Sequence, residues 1–134
     1  MTNPACYMGV DPGNSGAVAF YFPEYPQKIA SLDVPLANGE IDAAALSHLI
    51  KGFQPMMAVV ELVHSMPKQG VASTFKFGVA YGMARGTIAA MQIPEDVLNL
   101  ILAGIKLGCQ QILALDFTLK VVSDAAIGKD FFII

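Results

Sequence analysis

The sequence predicts one mixed α/β domain, a β-sheet flanked by helices, across its 134 residues. Three observations predict this class: two apolar segments around a glycine-rich turn, a nearly continuous apolar segment between prolines, and two segments with helical periodicity. With 54% hydrophobic and 14% charged residues, the composition excludes a disordered chain and a coiled coil.

The N-terminal part predicts three strands. Residues 6–10 and 17–22 are apolar and flank the turn Asp-Pro-Gly-Asn-Ser-Gly at 11–16. Such a turn indicates a hairpin, because glycine allows positive φ and Asn or Ser bonds the local backbone. Residues 28–34, bounded by prolines, predict a third strand.

A helix and a buried strand are predicted next. The helix begins at Asp42, a favourable N-cap, and ends at Gly52, with His48 packed at the edge of the core. Residues 56–63 are apolar except for Glu61, which is typical of a strand buried on both faces.

The second half predicts a long helix over residues 70–92, stopped by Pro94. Residues 95–108 are interpreted as another helix, since acids stand at its start and a glycine at its end. Residues 111–115 and 118–122 are interpreted as short strands.

Asp11 and Glu61 are the first candidates for chemistry. A carboxylate in an apolar strand is costly to bury unless it is paired or binds a metal. If the two strands are parallel neighbours, both carboxylates lie at one sheet edge, where Mg²⁺ or Mn²⁺ would relieve their repulsion and support phosphodiester hydrolysis. A plainer interpretation stays open, in which Asp11 bonds its own turn and Glu61 is a half-solvated strand end.

A local positive excess marks residues 61–85, in a chain whose net charge is −3. Lys76 stands between Phe75 and Phe77, and a cation with neighbouring rings suits a phosphate and a base. The alternative is a helix start with two core aromatics. The basic residues of the segment are Lys68, Lys76 and Arg85.

Small residues recur every four positions in the long helix, at Gly78, Gly82, Gly86 and Ala90. Glycine in a helix interior costs about 1 kcal/mol relative to alanine, so the spacing indicates close approach of another backbone. That backbone is either the sheet beneath or the same helix of a second subunit. We expect a homodimer through residues 70–92.

Five motifs together resemble a known family. They are MGVDPG at 8–13, VVE at 59–61, MPKQG at 66–70, FKFG at 75–78 and YG at 81–82. Over residues 5–94 the chain resembles the RuvC-like Holliday-junction resolvases of the phage and prophage type, within the ribonuclease H superfamily.

The resemblance implies a five-stranded mixed sheet and a homodimer that cuts four-way DNA junctions with Mg²⁺ or Mn²⁺. It gives Asp11 and Glu61 the places of the first two of four metal-binding acids, and it places residues 64–70 beside the DNA. The residues expected to contact DNA are Lys68, Gln69, Phe75 and Lys76.

The tail, residues 95–134, departs from the family. It has three lysines, five acids and no tryptophan, where the family has a basic loop and a helix with the last two acids. Asp124 is the best candidate for the third carboxylate, and Asp130 is the candidate for the fourth. We therefore divide the single domain into a family-like core, residues 1–94, and a divergent or truncated tail.

Two other functions stay open: a catalytically incomplete resolvase-like dimer, and a small phosphate-binding domain. The second is open because residues 9–16 also resemble the first phosphate loop of actin-like ATPases and sugar kinases. Two cysteines, Cys6 and Cys109, fit a reducing compartment. Since no apolar stretch is long enough for a membrane span, a cytoplasmic protein is expected.

Overall fold

A computed structural model describes residues 3–13, 16–25, 27–62 and 68–98. The expected strands at 111–115 and 118–122 lie outside these residues. So do Cys109 and two of the acidic candidates, Asp124 and Asp130.

Seven strands and two helices are described. In chain order they are β1 (Tyr7–Val10), β2 (Ala17–Tyr21), β3 (Ile29–Asp33), β4 (Leu36–Ala37), β5 (Glu40–Ile41), α1 (Ala43–Phe53), β6 (Met57–Glu61), α2 (Val71–Ala90) and β7 (Glu95–Leu98).

The main sheet has the strand order β3-β2-β1-β6-β7 among the described residues. The first three strands pair antiparallel, whereas β6 and β7 run parallel to β1. Because α2 connects two parallel strands, it has to cross over the sheet. The mixed α/β class predicted from the sequence is confirmed. The two-residue strands β4 and β5 form a separate small hairpin that the sequence did not predict.

Both helices pack on the same face of this sheet. Alternate residues of β1, β2 and β6 meet the inner sides of α1 and α2 in one hydrophobic cluster. The Phe20 ring of β2 stacks on Phe53 at the end of α1, with centroids 3.9 Å apart. The fully buried side chains of the cluster include Met8, Val10, Phe20, Leu46, Ile50, Val60 and Ile88.

Helix α1 begins as predicted and ends differently. The Asp42 carboxylate accepts hydrogen bonds from the backbone of Ala44 and Ala45, both at 3.0 Å. The helix continues past Gly52, and Gln54 adopts the left-handed capping conformation at φ 51°. His48 is exposed, so its expected place at the core edge is wrong.

The prediction of a helix over residues 95–108 is wrong for residues 95–98. Glu95–Leu98 forms the strand β7, which pairs with β6 in the register Ala58 to Glu95. The first contact precedes the strand, since Ala58 N–H donates to Pro94 O at 2.8 Å. Pairing with the free edge of β6 therefore stabilises residues 95–98 as a strand, although two acids at this position favour the start of a helix.

No helix in the described part of the chain is long and apolar enough to cross a membrane.

Candidate functional site

Asp11 and Glu61 stand at the carboxyl ends of two adjacent parallel strands. Val10 is the register partner of Val60, so the acids follow at the next position of each strand. Neighbouring strands lie about 4.8 Å apart, which puts both residues at one point of the sheet edge. The expected adjacency is therefore present, and both residues are only partly buried.

The turn after β1 holds Asp11 in place. Gly13 N–H donates to Asp11 Oδ1 at 3.1 Å, and Asp11 N–H donates to Ala17 O at 2.9 Å. A Cβ on Gly16 would lie 2.1 Å from Asp11 O, so only glycine fits there. Asp11 does bond its own turn, as the plainer interpretation required, but this bond uses one carboxylate oxygen and leaves the charge in place.

The two negative charges of Asp11 and Glu61 repel each other. Burial, and then the nearby negative charge of Asp11, raises the pKa of Glu61 above its ordinary value of 4.5. Within the described ranges, no basic side chain forms an ion pair with either carboxylate. Two neighbouring carboxylates are a donor set that a hard divalent ion fits.

Glu61→Gln is expected to raise the free energy of unfolding at neutral pH by on the order of 1 kcal/mol, the scale of a removed like-charge contact. A carboxyl whose pKa is raised by folding loses stability as pH rises from 4.5 through the folded-state value. The gain should therefore vanish below about pH 4, where Glu61 is protonated in both states.

Thermal melts of wild type and Glu61→Gln from pH 3 to pH 8 measure this difference. Asp33→Asn, a change at an exposed strand end, serves as the control and should show no such trend. A variant less stable than wild type at pH 7 would contradict the repulsion.

The metal-ligand set is incomplete in the described residues. Across 3–13, 16–25, 27–62 and 68–98, no group of three His, Cys, Asp or Glu side chains is arranged to hold a metal ion. Asp124, the expected third carboxylate, lies outside them. The geometry thus offers two oxygen-donor side chains, enough to anchor one hard cation.

The residues expected to contact DNA lie at the start of α2, which follows the same sheet edge. Phe75 is 71% exposed, which is inconsistent with a core aromatic. Lys68 and Lys76 are exposed, and Gln69 Nε2 donates to Ser73 Oγ at 3.3 Å. The first turn of α2 contains no acid, and Gly70 caps it without a side chain. This end therefore presents two cations and the positive end of a helix dipole.

Arg85, counted among the basic residues, is already paired. Its Nε donates to Glu95 Oε1 at 2.7 Å, and its guanidinium lies 5.3 Å from the centre of the Tyr81 ring. Hydrogen bonding to Glu95 raises the pKa of Arg85 further. The pair joins α2 to β7, and sequence reasoning missed it because it depends on residues 95–98 forming a strand rather than a helix.

The strand order and the helices define the class of fold. A sheet with three antiparallel strands, extended by parallel strands beside β1 and flanked by helices, is a RuvC-like α/β fold of the ribonuclease H type.

The solved structures that the chain is similar to belong to this class. One is Thermus thermophilus RuvC in complex with a Holliday-junction substrate, with a TM-score of 0.56 and 17% identity over 84% of this chain and 75% of that one. Another is a Thermus thermophilus RuvC structure, with a TM-score of 0.49 and 15% identity over 95% of this chain and 84% of that one. No protein-family model and no curated protein sequence matches the chain. At these identities the similarity concerns the fold.

Proposed function

We propose that the protein is a metal-dependent endonuclease that cleaves branched DNA, in the manner of a Holliday-junction resolvase, and acts in the cytoplasm. One observation carries the proposal: in a RuvC-like fold, Asp11 and Glu61 end adjacent parallel strands. The similar structure of Thermus thermophilus RuvC was solved with a Holliday-junction substrate, which supports branched DNA as the substrate class.

Asp11 and Glu61 would hold Mg²⁺ or Mn²⁺ through their carboxylate oxygens. When bound, such a cation supplies an activated water and stabilises the charge of the leaving oxygen. Two hydrogen bonds hold Asp11 at the strand end, from Gly13 N–H to its Oδ1 and from its own N–H to Ala17 O. At the start of α2, Lys68, Gln69 and Lys76 are placed to contact phosphates, and Phe75 to stack on an exposed base.

A third carboxylate is needed to hold two ions, and we propose Asp124 for this role. It should then lie within about 5 Å of Asp11 and Glu61, the reach of shared oxygen ligands. The second candidate function is a catalytically incomplete resolvase-like protein. It is favoured by the composition of the tail, residues 95–134, which has five acids and only three lysines.

We also propose a homodimer through α2. A four-way junction has two strands to cut, and a two-fold dimer offers two sites. The outer positions of α2 support this, because Gly78, Gly82 and Gly86 face open space rather than the sheet.

Cleavage of a labelled four-way junction tests the proposed function. The wild-type protein should cut it with Mg²⁺ or Mn²⁺, should not cut it in EDTA, and should cut a linear duplex of the same sequence much more slowly. Junction binding without cleavage, together with an unchanged rate in Asp124→Asn, would indicate the incomplete protein. Absence of both binding and cleavage would overturn the proposal.

A further inference from the structure

Arg85 and Glu95 form an ion pair between α2 and the first residue of β7. Arg85 Nε and Nη2 both donate to Glu95 Oε1, at 2.7 and 2.5 Å. Arg85 Nη1 also donates to the Tyr81 hydroxyl at 3.5 Å. The Glu95 side chain is 18% exposed, so its carboxylate lies in a mostly buried place and needs the arginine as its partner.

The hydrogen bonds of this pair are not arranged for the greatest stability. Both bonds from the arginine end on Oε1, and the other carboxylate oxygen, Oε2, is buried with no hydrogen-bond partner within the ranges that the structure describes. An unpaired buried oxygen costs free energy, because it has lost water and gained no donor. A mostly buried ion pair of this kind contributes little net stability, and its best-attested use is to select one register of the chain over another.

β7 is a strand whose register has a close alternative. Its first two residues, Glu95 and Asp96, are both acids, and consecutive residues of a strand face opposite sides of the sheet. In most half-buried strands a shift by one residue is excluded, because it would exchange the apolar and polar faces. Here residues 97–103 are apolar apart from Asn99, so the sequence after the two acids fits either face. The two acids are therefore what distinguishes the two registers.

Arg85 distinguishes between the two acids by their reach. In the observed register Ala58 is opposite Glu95, and the glutamate extends far enough to meet the guanidinium. A shift by one residue would put Asp96 opposite Ala58, with a side chain that is one methylene shorter. The helix and the sheet are fixed by the core that they share, so the shorter side chain would meet Arg85 less closely.

The register of β7 determines where the chain leaves the sheet beside Glu61. Leu98, the last residue of β7, is the register partner of Glu61. Residues 99–134, which contain the proposed third carboxylate Asp124, continue from this point. A shift by one residue would move the point by about 3.3 Å along the strand and turn the next side chains to the opposite face. That displacement is large against the reach of about 5 Å that shared oxygen ligands allow.

We propose that Arg85 is a positioning residue: by pairing with Glu95 rather than with Asp96, it selects the register of β7 and so fixes the place from which the tail reaches the metal site. The effect on the metal site rests on the proposed function, whereas the choice of register does not.

Glu95→Gln tests the choice of register. The substitution keeps the shape of the side chain and removes its charge, so Asp96 becomes the stronger partner for Arg85. We expect the population shifted by one residue to rise by at least about 10-fold, the scale of exchanging a charge-assisted hydrogen bond for a neutral one. Backbone NOEs between β6 and β7 in the labelled full-length protein measure this, since the contacts of Ala58 would move from residue 95 to residue 96.

Asp96→Asn is the matched control and should keep the wild-type register, because it leaves the ion pair of Arg85 and Glu95 intact. Added to Glu95→Gln, either Asp96→Asn or Arg85→Met should reverse the shift, since each removes the new ion pair. Glu95→Asp gives an independent test. Two aspartates of equal length then compete for Arg85, and both registers should be populated.

Wild-type NOEs in folded Glu95→Gln and Glu95→Asp proteins would overturn the proposal. Loss of every contact between β6 and β7 would overturn it as well, because the pair would then attach the strand without choosing its register.

Cleavage tests the positioning role. In an active protein, Glu95→Gln should slow single-turnover junction cleavage by at least about 10-fold, the scale on which residues behind metal ligands act. Junction affinity should stay unchanged, because the residues proposed to contact DNA lie near the other end of α2. A shifted register with an unchanged cleavage rate would refute the positioning role. Since the NOEs need neither metal nor DNA, an inactive wild-type protein whose variants show the expected shift would refute the nuclease and leave the choice of register standing.

Discussion

Asp11→Asn is expected to abolish Mn²⁺ binding and to slow junction cleavage by at least about 100-fold, the scale on which even outer partners of metal ligands act. The substitution is selective because asparagine keeps the side-chain oxygen that accepts from Gly13 N–H. It removes only the charge that faces Glu61. Calorimetric titration of Mn²⁺ and single-turnover cleavage measure the two effects.

Asp33→Asn is the matched control for Asp11→Asn. Asp33 ends β3 at the same sheet edge, where it pairs with Ala17, and it is exposed. Its change should alter Mn²⁺ affinity within about fivefold, because exposed charges contribute up to about 1 kcal/mol. Equal Mn²⁺ affinity in wild type and a folded Asp11→Asn protein would rule out a metal role for Asp11 and leave it as a turn residue.

Gly16→Ala is expected to destabilise the protein by about 3–5 kcal/mol or to prevent folding, which places it among the most damaging single changes. A Cβ there would lie 2.1 Å from Asp11 O and 2.7 Å from Gly13 O. Both atoms are backbone, so no side chain can move to relieve the overlap. The shift would also disturb two hydrogen bonds, Gly16 N–H to Gly13 O at 2.9 Å and Val34 N–H to Gly16 O at 3.1 Å. Urea unfolding measures the loss.

Gly52→Ala provides the comparison for Gly16→Ala. Gly52 lies in α1 and is exposed, and a Cβ added to it would meet no other atom within 4 Å. Alanine there should stabilise the helix by up to about 1 kcal/mol. If Gly16→Ala were as stable as Gly52→Ala, the close approach at the first turn would be refuted.

Local signals were sufficient for much of the fold. The glycine-rich segment at 11–16 stands between the antiparallel strands β1 and β2, as its turn-forming composition predicts. Asp42 begins α1 through hydrogen bonds only two and three residues away. Pro94 cannot continue a helix, and α2 ends before it, at Ala90. Each of these causes acts within a few residues, so each could be predicted from the sequence.

Part of the candidate site could also be predicted. The sequence predicts Glu61 as a candidate because it is a carboxylate in an apolar strand. It predicts Asp11 because this residue stands where a strand meets a turn. Their adjacency depends on β1 and β6 pairing in parallel across fifty residues of chain. Burial in the sheet, and then the charge of Asp11, raises the pKa of Glu61. The two residues are therefore predictable from the sequence, whereas their proximity depends on the tertiary structure.

By itself, then, the sequence determined the class of fold, the first hairpin, the start of α1 and the identity of the two carboxylates. Only the tertiary structure decided that residues 95–98 form a strand, that Arg85 is paired with Glu95, and that Phe75 points away from the core. The physical reason is the range of the forces involved. Helix caps, turns and proline act on the adjacent backbone. Strand pairing and burial depend on contacts between residues that are distant in the sequence.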